Sequence, residues 1–232
     1  MFDWPSILLS LQLAALTTVI LLAVGIPLAA WLAYTRARWA VGIEAIVALP
    51  LILPPTVLGY YLLVALGAQS PLGRWWTDVT GSTLVFSFTG LLIASILYSL
   101  PFAVQPMLAA FAGIDRRLLE ASSVLGRRWP TTILRVVLPG ARAGVATATV
   151  LTFAHTIGEF GVVLMVGGNI PGVTRTVSID IYDDVQAFDY AAAGRTSLAL
   201  LAFSMVVLVS VYSLQRRGDQ GGRRRALTRW AM

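Results

Sequence analysis

Five long apolar stretches constrain the fold of this chain more than any other feature. They cover approximately residues 6–34, 44–67, 83–111, 140–167 and 194–214. The hydrocarbon core of a bilayer is about 30 Å thick, so a helix that crosses it needs about 20 mostly apolar residues. Only 12% of the 232 residues are charged, against about a quarter in ordinary soluble domains. The sequence therefore predicts an all-α integral membrane protein with five transmembrane helices.

The segments at the start and between the stretches refine this prediction. The first stretch has no basic segment before it and no clear cleavage site after it, so we expect a retained helix rather than a signal peptide. Between the second and third stretches, GAQSPLGRWWTDVTGS predicts a turn-rich loop with interfacial tryptophans. Membrane helices tolerate proline where neighbours satisfy the freed carbonyls. We therefore expect kinks at the prolines in or near the stretches, at positions 27, 50, 54, 55, 101 and 106.

The arginines predict the orientation of the chain. All 17 basic residues are arginine; fourteen follow the first, third or fifth stretch, and only Arg74, Arg175 and Arg195 lie on the other side. Basic residues concentrate in cytoplasmic loops. We therefore expect a multi-pass protein of the cell (inner) membrane with its N-terminus outside, a transmembrane domain of residues 1–215 and a basic cytoplasmic tail of residues 216–232. Membrane lipid, not nucleic acid, is the expected partner of these arginines.

The composition excludes several kinds of chemistry. The chain has no cysteine, one histidine and no lysine. Disulfides and thiolate metal sites are therefore excluded, and we predict no metal site, catalytic site or cofactor in this chain. The phosphate-binding loop of ATPases requires a lysine, so the chain does not hydrolyse ATP through such a loop.

A polar segment, EASSVLGRRWPTTILRVVLP, separates the third and fourth stretches. Asp115 is a suitable N-cap for a short helix, and Gly126 is a suitable terminator. Pro130 is suited to the start of a second helix, which Pro139 and Gly140 would end. The pattern predicts a bent pair of short helices exposed to the cytosol. An amphipathic loop resting on lipid headgroups is the alternative.

The fourth stretch contains an ionisable residue, Glu159, between Gly158 and Gly161. A charged side chain at the centre of a membrane helix costs about 2.5–3.5 kcal/mol on insertion scales. His155 lies four residues earlier, on the same helical face. Glu159 either joins helices through hydrogen bonds or lines a translocation path, and the sequence leaves both open. For His155 we favour packing.

The segment after the fourth stretch is rich in glycine, threonine and hydrogen-bonding side chains. Backbone N–H groups, hydroxyls and a guanidinium can together bind an oxyanion. A turn-rich outer loop without a ligand is the alternative. The candidate residues are Asn169, Pro171, Gly172, Thr174, Arg175 and Thr176.

The polar segment resembles the EAA loop of ABC importer permeases. Glu120-Ala121, Gly126 and Leu138-Pro139 match that motif in spacing, while Ser122 replaces its second alanine and Val136 its isoleucine. The resemblance implies that residues 115–139 form a coupling helix element, which docks on a separate ATPase subunit. The coupling residues that it implies are Glu120, Ala121, Ser122, Gly126, Leu138 and Pro139.

Three further segments are similar to those of the molybdate ABC transporter permease family. They are LPLILPPTVLGYYLL at 49–63, GEFG at 158–161 and NIPGVTRT at 169–176, and the similarity runs over nearly the whole chain. It implies a type I ABC importer permease fold and a homodimer. It also implies two partner ATPases that bind ATP and Mg, and a periplasmic or lipid-anchored binding protein that delivers molybdate or tungstate.

Two other functions remain open from the sequence. A permease for sulfate, thiosulfate or another oxyanion would share the same motifs. A self-sufficient secondary transporter would be expected to carry an inverted repeat, and we find none. Direct competition between the anions distinguishes the first alternative, and transport without an ATPase distinguishes the second.

Overall fold

The computed structural model describes the backbone of residues 2–229 and the side chains of residues 2–213. The side chains of the predicted basic tail, residues 216–232, lie outside the described residues. The described residues include a π-helix, Ile133–Val137, which lies between two short α-helices, Trp129–Thr132 and Leu138–Gly140. The α-helices are α1 (Trp4–Tyr34), α2 (Ala40–Ile52), α3 (Pro55–Leu66), α4 (Pro71–Thr80), α5 (Phe88–Ala112), α6 (Arg116–Val124), α7 (Trp129–Thr132), α8 (Leu138–Gly140), α9 (Arg142–Gly158), α10 (Gly161–Gly167), α11 (Val177–Gln186) and α12 (Tyr190–Arg229).

Three helices in the described part are long and apolar enough to cross a membrane. They are α1, α5 and the Tyr190–Ser213 part of α12. Two bent pairs also qualify, which gives up to five spans: α2 with α3, bent by 113°, and Trp129–Gly140 with α9, bent by 82°. The all-α membrane fold predicted from the apolar stretches is confirmed.

The second apolar stretch does not form the kinked continuous helix that we predicted. Two helices, α2 and α3, meet at Leu53 and Pro54 with a bend of 113°. A residue that precedes proline is disfavoured in the helical region, and Pro54 precedes Pro55 with an extended ψ of 134°. Two consecutive prolines therefore divide the helix rather than bend it.

The fourth apolar stretch is also divided. It begins at Arg142 after a non-helical residue, Ala141, and breaks between α9 and α10. Glu159 has extended backbone angles (φ −62°, ψ 134°), and Phe160 also leaves the helical region. The break therefore lies at Glu159, the acidic residue of this stretch.

Helices α1, α5 and α9 form the main core of the chain. Small residues let their backbones approach closely, as is common in membrane bundles. Gly25 of α1 faces Met107, where an added Cβ would lie 2.9 Å from Cε. Gly144 of α9 faces Ala110 and the carbonyl of Pro106 on α5 so closely that no side chain fits. Packing in this core therefore depends on glycine at Gly144, whereas at Gly25 the end of the flexible Met107 side chain is free to shift and admit a Cβ.

The segment between the second and third stretches is not the loop that we predicted. It contains α4, which begins after Ser70, whose hydroxyl accepts a hydrogen bond from the N–H of Gly73 at 2.8 Å. The helix ends at Gly81, which has a left-handed φ of 71°. A serine cap followed by proline, and a terminal glycine, are typical of helix boundaries. The turn residues thus mark the ends of a short helix.

Candidate functional site

Local capping shapes the first arm of the predicted coupling loop, residues 115–139, which is called the coupling loop from here on. Helix α6 begins at Asp115, whose carboxylate accepts a hydrogen bond from the N–H of Arg117 at 3.0 Å. It ends before Gly126, which has a left-handed φ of 67°. Both local predictions, the Asp115 cap and the Gly126 terminator, are confirmed. The glycine lets the chain reverse without the steric cost that a Cβ brings in this conformation.

The second arm returns the chain to the membrane. It starts with Pro130 in the first turn of α7, continues through the π-helix and ends with α8. Leu138 and Pro139 begin α8, and Gly140 ends it before the 82° bend into α9. The predicted end at Pro139-Gly140 is confirmed. The widened π-helical turn within the second arm has no counterpart in our prediction.

Two contacts hold the coupling loop together and against α1, and a third joins α1 to the end of α5. The hydroxyls of Ser122 and Thr132 form a hydrogen bond between the two arms. Trp129 packs edge-on against Tyr34 of α1, with ring centroids 5.3 Å apart. Tyr34 in turn donates a hydrogen bond to the carbonyl of Phe111 at 2.8 Å. The loop is thus joined to the cytoplasmic ends, in the predicted orientation, of both α1 and α5.

The coupling loop presents an exposed apolar face. Val124 is 86% exposed and Leu125 is 75% exposed, with Leu118 and Leu134 also exposed. Glu120, Ala121 and Gly126 are exposed beside them, and arginines surround the face at positions 116, 117, 127 and 128. An apolar patch with a charged rim is typical of a protein-binding surface. No other segment among the described side chains, residues 2–213, covers this face.

Glu159 is buried and bound through both carboxylate oxygens. It is 3% exposed. Ser95 donates to Oε2 and Ser99 donates to Oε1, each at 2.6 Å, and both serines belong to α5. The hydroxyl oxygens of Thr156 and Ser99 lie 2.9 Å apart. Buried charged groups require such partners, so the carboxylate joins α5 to the break that precedes α10.

The other residues of the GEFG segment lie around this network. His155 stacks on Phe102, with ring centroids 3.8 Å apart, and its Nε2 lies 3.8 Å from Oε1 of Glu159. Gly158 is exposed and has open space beside it, whereas Gly161 lies against Pro55. The structure therefore brings Glu159 and His155 together against α5. Their role in a path or gate stays a prediction.

Asn169 and Arg175 of the predicted outer loop, residues 169–176, form a clamp with Asp183 of α11. The Nε of Arg175 donates to Oδ1 of Asn169 at 2.7 Å, and its Nη2 lies 3.4 Å from Oδ2 of Asp183. The amide of Asn169 donates to both carboxylate oxygens of Asp183, at 2.8 and 2.7 Å. The guanidinium is thus already engaged on two sides by partners within the chain.

The remaining outer-loop candidates have mostly structural contacts. Thr174 is fully buried, and its hydroxyl accepts a hydrogen bond from the N–H of Ile170 at 3.1 Å. Thr176 is also buried, while Pro171 and Gly172 are exposed. The left-handed φ of 72° at Gly172 turns the loop. An oxyanion that approaches this loop would meet Arg175 and the exposed turn rather than the threonine hydroxyls.

The carboxylates of α11 lie close to this clamp. Partial burial, with Asp3 and Asp184 nearby, raises the pKa of Asp180 above its ordinary value, against the opposing effect of Arg175. Acidic groups therefore crowd the face of α11 that adjoins the outer loop. Arg175 is the cation that offsets part of this negative charge.

Several residues that take part in these contacts were not among the predicted candidates. They include Ser95, Ser99, Thr132 and Asp183. Ser95 and Ser99 are four residues apart in a mostly apolar stretch, so a polar pair on one helical face was a usable signal. Asp183 and Thr132 had no comparable signal, because their partners are decided by tertiary packing.

Comparison with known proteins identifies the class. Residues 25–223 match the family described as binding-protein-dependent transport system inner membrane component. The chain therefore belongs to this family and is a multi-pass permease of the inner membrane. In transporters of this family a separate subunit hydrolyses ATP. The expected class of fold and the expected absence of an ATPase in this chain follow from that membership.

Two curated relatives and one solved structure show which transport proteins this chain is similar to. The chain is 52% identical over 214 residues to the molybdenum transport system permease protein ModB of Azotobacter vinelandii, covering 92% of this chain and 95% of that protein. It is 33% identical to ModB of Escherichia coli K12, covering 95% and 97%. Among solved structures, a bacterial alginate ABC transporter shares the fold with a TM-score of 0.72 at 18% identity, covering 92% of this chain and 78% of that one.

Proposed function

We propose that this chain is the permease subunit of an ATP-driven importer of molybdate, with tungstate as a second substrate. The observation that carries the proposal is the 52% identity to the molybdenum permease of Azotobacter vinelandii over 95% of its length. The coupling loop supports it, since its caps, bend and exposed face are those of a docking element. In this proposal the chain forms the path, and a binding protein selects the anion.

The complete transporter would contain two copies of this chain, two ATPase subunits and one binding protein. Membership of a binding-protein-dependent family supports the last two kinds of partner. The arginine distribution supports a cytoplasmic coupling loop and C-terminus, with the N-terminus and the clamp of Asn169, Arg175 and Asp183 outside. The binding protein would then dock on the face that carries this clamp.

Coupling would occur through the exposed face of Leu118, Val124 and Leu125. Burial of apolar side chains contributes about 25 cal/mol per Å², so this face provides affinity for a groove on the ATPase. Glu120 and the surrounding arginines would orient it through charged contacts at the rim. ATP binding favours one arrangement of the ATPases, and the two arms transmit that preference to α5 and α9 as a population shift.

The GEFG segment and the outer loop are proposed as parts of the path. His155, Gly158, Glu159 and Gly161 would lie near the gate, where α9 and α10 separate. Asn169, Arg175 and the turn at Gly172 would contact the binding protein or the released anion. The break within a membrane helix supports this assignment, because non-helical backbone at membrane depth is tolerated only where protein or a water-filled cavity surrounds it.

Reconstitution tests the proposal. The chain would be purified with its ATPase and binding protein, placed in vesicles and assayed for uptake of labelled molybdate, with tungstate and sulfate as competitors. We expect uptake only with ATP and all partners, and competition by tungstate but not by sulfate. Strong competition by sulfate would favour the broader oxyanion permease. Full uptake by vesicles that contain this chain alone would contradict the proposal.

A further inference from the structure

The two helix breaks of this chain lie side by side. One separates α2 from α3 at Pro54, and the other separates α9 from α10 at Glu159 and Phe160. They touch directly, since a Cβ added at Gly161 would lie 3.0 Å from Cβ of Pro55. Helices α3 and α10 therefore start at neighbouring points, and each follows a joint where the backbone is not helical.

Beyond the breaks, α3 and α10 pack against each other as a pair. Gly59 of α3 faces Met165, where an added Cβ would lie 2.8 Å from Cβ of the methionine. Buried Leu62 and Leu66 of α3 share an apolar cluster with Val162 and Val166 of α10. The side of α3 that carries Tyr60 and Tyr61 is exposed. Close packing through glycine and a shared core favours movement as one unit.

Each helix of the pair is also followed by a glycine. Helix α3 is followed by Gly67, and α10 is followed by Gly168 with a left-handed φ of 65°. The segment that precedes α5 is tied to the pair, because the N–H of Phe86 donates to the carbonyl of Val166 at 2.9 Å. Phe86 itself has a φ of 60°. Hinges are a few terminal residues that absorb large changes of φ and ψ.

Helix α5, in contrast, runs without a break past both joints. Ser95 and Ser99 of α5 hold both oxygens of Glu159, at 2.6 Å each, at the start of the second joint. Hydroxyl groups that bond a carboxylate form short, strong hydrogen bonds. Beyond the joint, α10 meets α5 through apolar side chains, as where Gly167 lies against Leu91. Helix α5 is therefore hydrogen-bonded to the joint at Glu159. Beyond the joint, no side-chain hydrogen bond among the described residues joins α10 to α5.

We propose that Glu159 is a positioning residue that anchors the joint to Ser95 and Ser99 of α5, while α3 and α10 swing as one unit about the two adjacent breaks to open and close the path. The carboxylate acts through the helices and does not touch the anion. This inference rests on the proposed transport function. In the proposed orientation the moving pair lies on the outer side of the joints, where the binding protein releases its anion.

Disulfide cross-links test the motion directly, since the chain has no cysteine of its own. The double variant Leu91→Cys with Gly167→Cys would join α10 to α5. The matched control, Gly59→Cys with Met165→Cys, would join α10 to α3 within the moving pair. Both would be assayed in the complete complex in vesicles, before and after reduction, with cross-link yield measured by mass spectrometry.

We expect the link between α10 and α5 to lower uptake at least about tenfold and reduction to restore it. The link within the pair should change uptake by less than about twofold relative to the same double variant after reduction. The inference is wrong if the first link leaves uptake unchanged or if the second abolishes it. Uptake by the reduced complexes reports the proposed function separately, because it does not depend on which helices are joined.

A second measurement distinguishes positioning from contact with the anion and does not depend on cysteine variants. Glu159→Gln and Ser99→Ala would be assayed for uptake over a range of molybdate-loaded binding protein. We expect each to lower the maximal rate about fivefold or more with the half-saturating concentration unchanged, and the two effects not to add. A raised half-saturating concentration with an unchanged maximal rate would overturn the positioning role.

Discussion

The hydroxyl oxygens of Ser122 and Thr132 lie 2.8 Å apart, in the angle between the two arms of the coupling loop. Both side chains are buried, although most residues of the loop are exposed. Ser122 occupies the place of the second alanine in the EAA motif that the segment resembles. The structure gives this departure a physical reason, because the serine joins the first arm to the second.

The hydrogen bond between Ser122 and Thr132 should contribute about 1 kcal/mol to the rigidity of the coupling loop. Ser122→Ala and Thr132→Val should each lower the number of anions transported per ATP hydrolysed, because a looser loop transmits less of the ATPase motion. The double variant should be no worse than either single one. A double-mutant cycle on the ratio of uptake to ATP hydrolysis checks this, and additive losses would contradict a direct link.

Gly126 should tolerate a side chain only at the cost of backbone strain. A Cβ added there would meet nothing within 4 Å, so the left-handed φ of 67° is the sole obstacle. Gly126→Ala should destabilise the bend by about 1–2 kcal/mol, while Gly126→Asn should be milder, and Gly126→Pro should abolish uptake. Uptake would be measured in vesicles, with membrane insertion checked by protease protection. Normal uptake by the proline variant would be inconsistent with a coupling role.

Glu120 should act through its partner rather than through this chain's own stability. Its side chain is exposed and makes no side-chain hydrogen bond within the described residues. Glu120→Ala should abolish transport and weaken binding of the ATPase, with insertion and thermal stability of the isolated chain unchanged. Co-purification of the ATPase with each variant measures this, and exposed Arg117 provides a comparison through Arg117→Ala. Undiminished transport by Glu120→Ala would count against the proposed docking surface.

Arg175 and Asp183 should behave as one unit if the clamp orders the outer loop. Such a partly exposed pair contributes about 0.5–1 kcal/mol. Arg175→Ala and Asp183→Asn should then weaken delivery by the binding protein to a similar extent, and their combination should add little. If Arg175 instead contacts the anion, Arg175→Ala alone will raise the half-saturating concentration of loaded binding protein. Uptake curves for the three variants separate these outcomes.

Gly144 should be essential for the packing of α9 on α5. Ala110 and the carbonyl of Pro106 fill the space beside it. Gly144→Leu should therefore overpack the bundle and lower its free energy of unfolding by about 1–3 kcal/mol. Gly42 offers a matched control within α2, since it has no neighbour within 4 Å. Gly42→Ala should leave stability unchanged or raise it. Thermal unfolding of the purified chain in detergent measures both, and equal melting of all three proteins would refute the packing argument.

Sequence reasoning succeeded where the physical cause is local. Asp115 caps a helix and Gly126 ends it because each acts on the backbone within a few residues. It failed at Pro54, where two prolines divide a helix that we expected to bend, and at α4, where turn residues proved to be helix boundaries. For Glu159 the sequence left helix joining and a path role open, and it did not indicate the serines that bind the carboxylate.

The amino-acid order by itself determined the helical membrane class, the apolar stretches and the boundaries of the coupling loop. Those properties depend on hydrophobicity and on backbone preferences over a few residues. Only the tertiary structure decided that Glu159 bonds Ser95 and Ser99, which are 64 and 60 residues away along the chain. The same holds for the contact between the two helix breaks. Partners so distant in sequence are selected by the packing of whole helices, which no local pattern specifies.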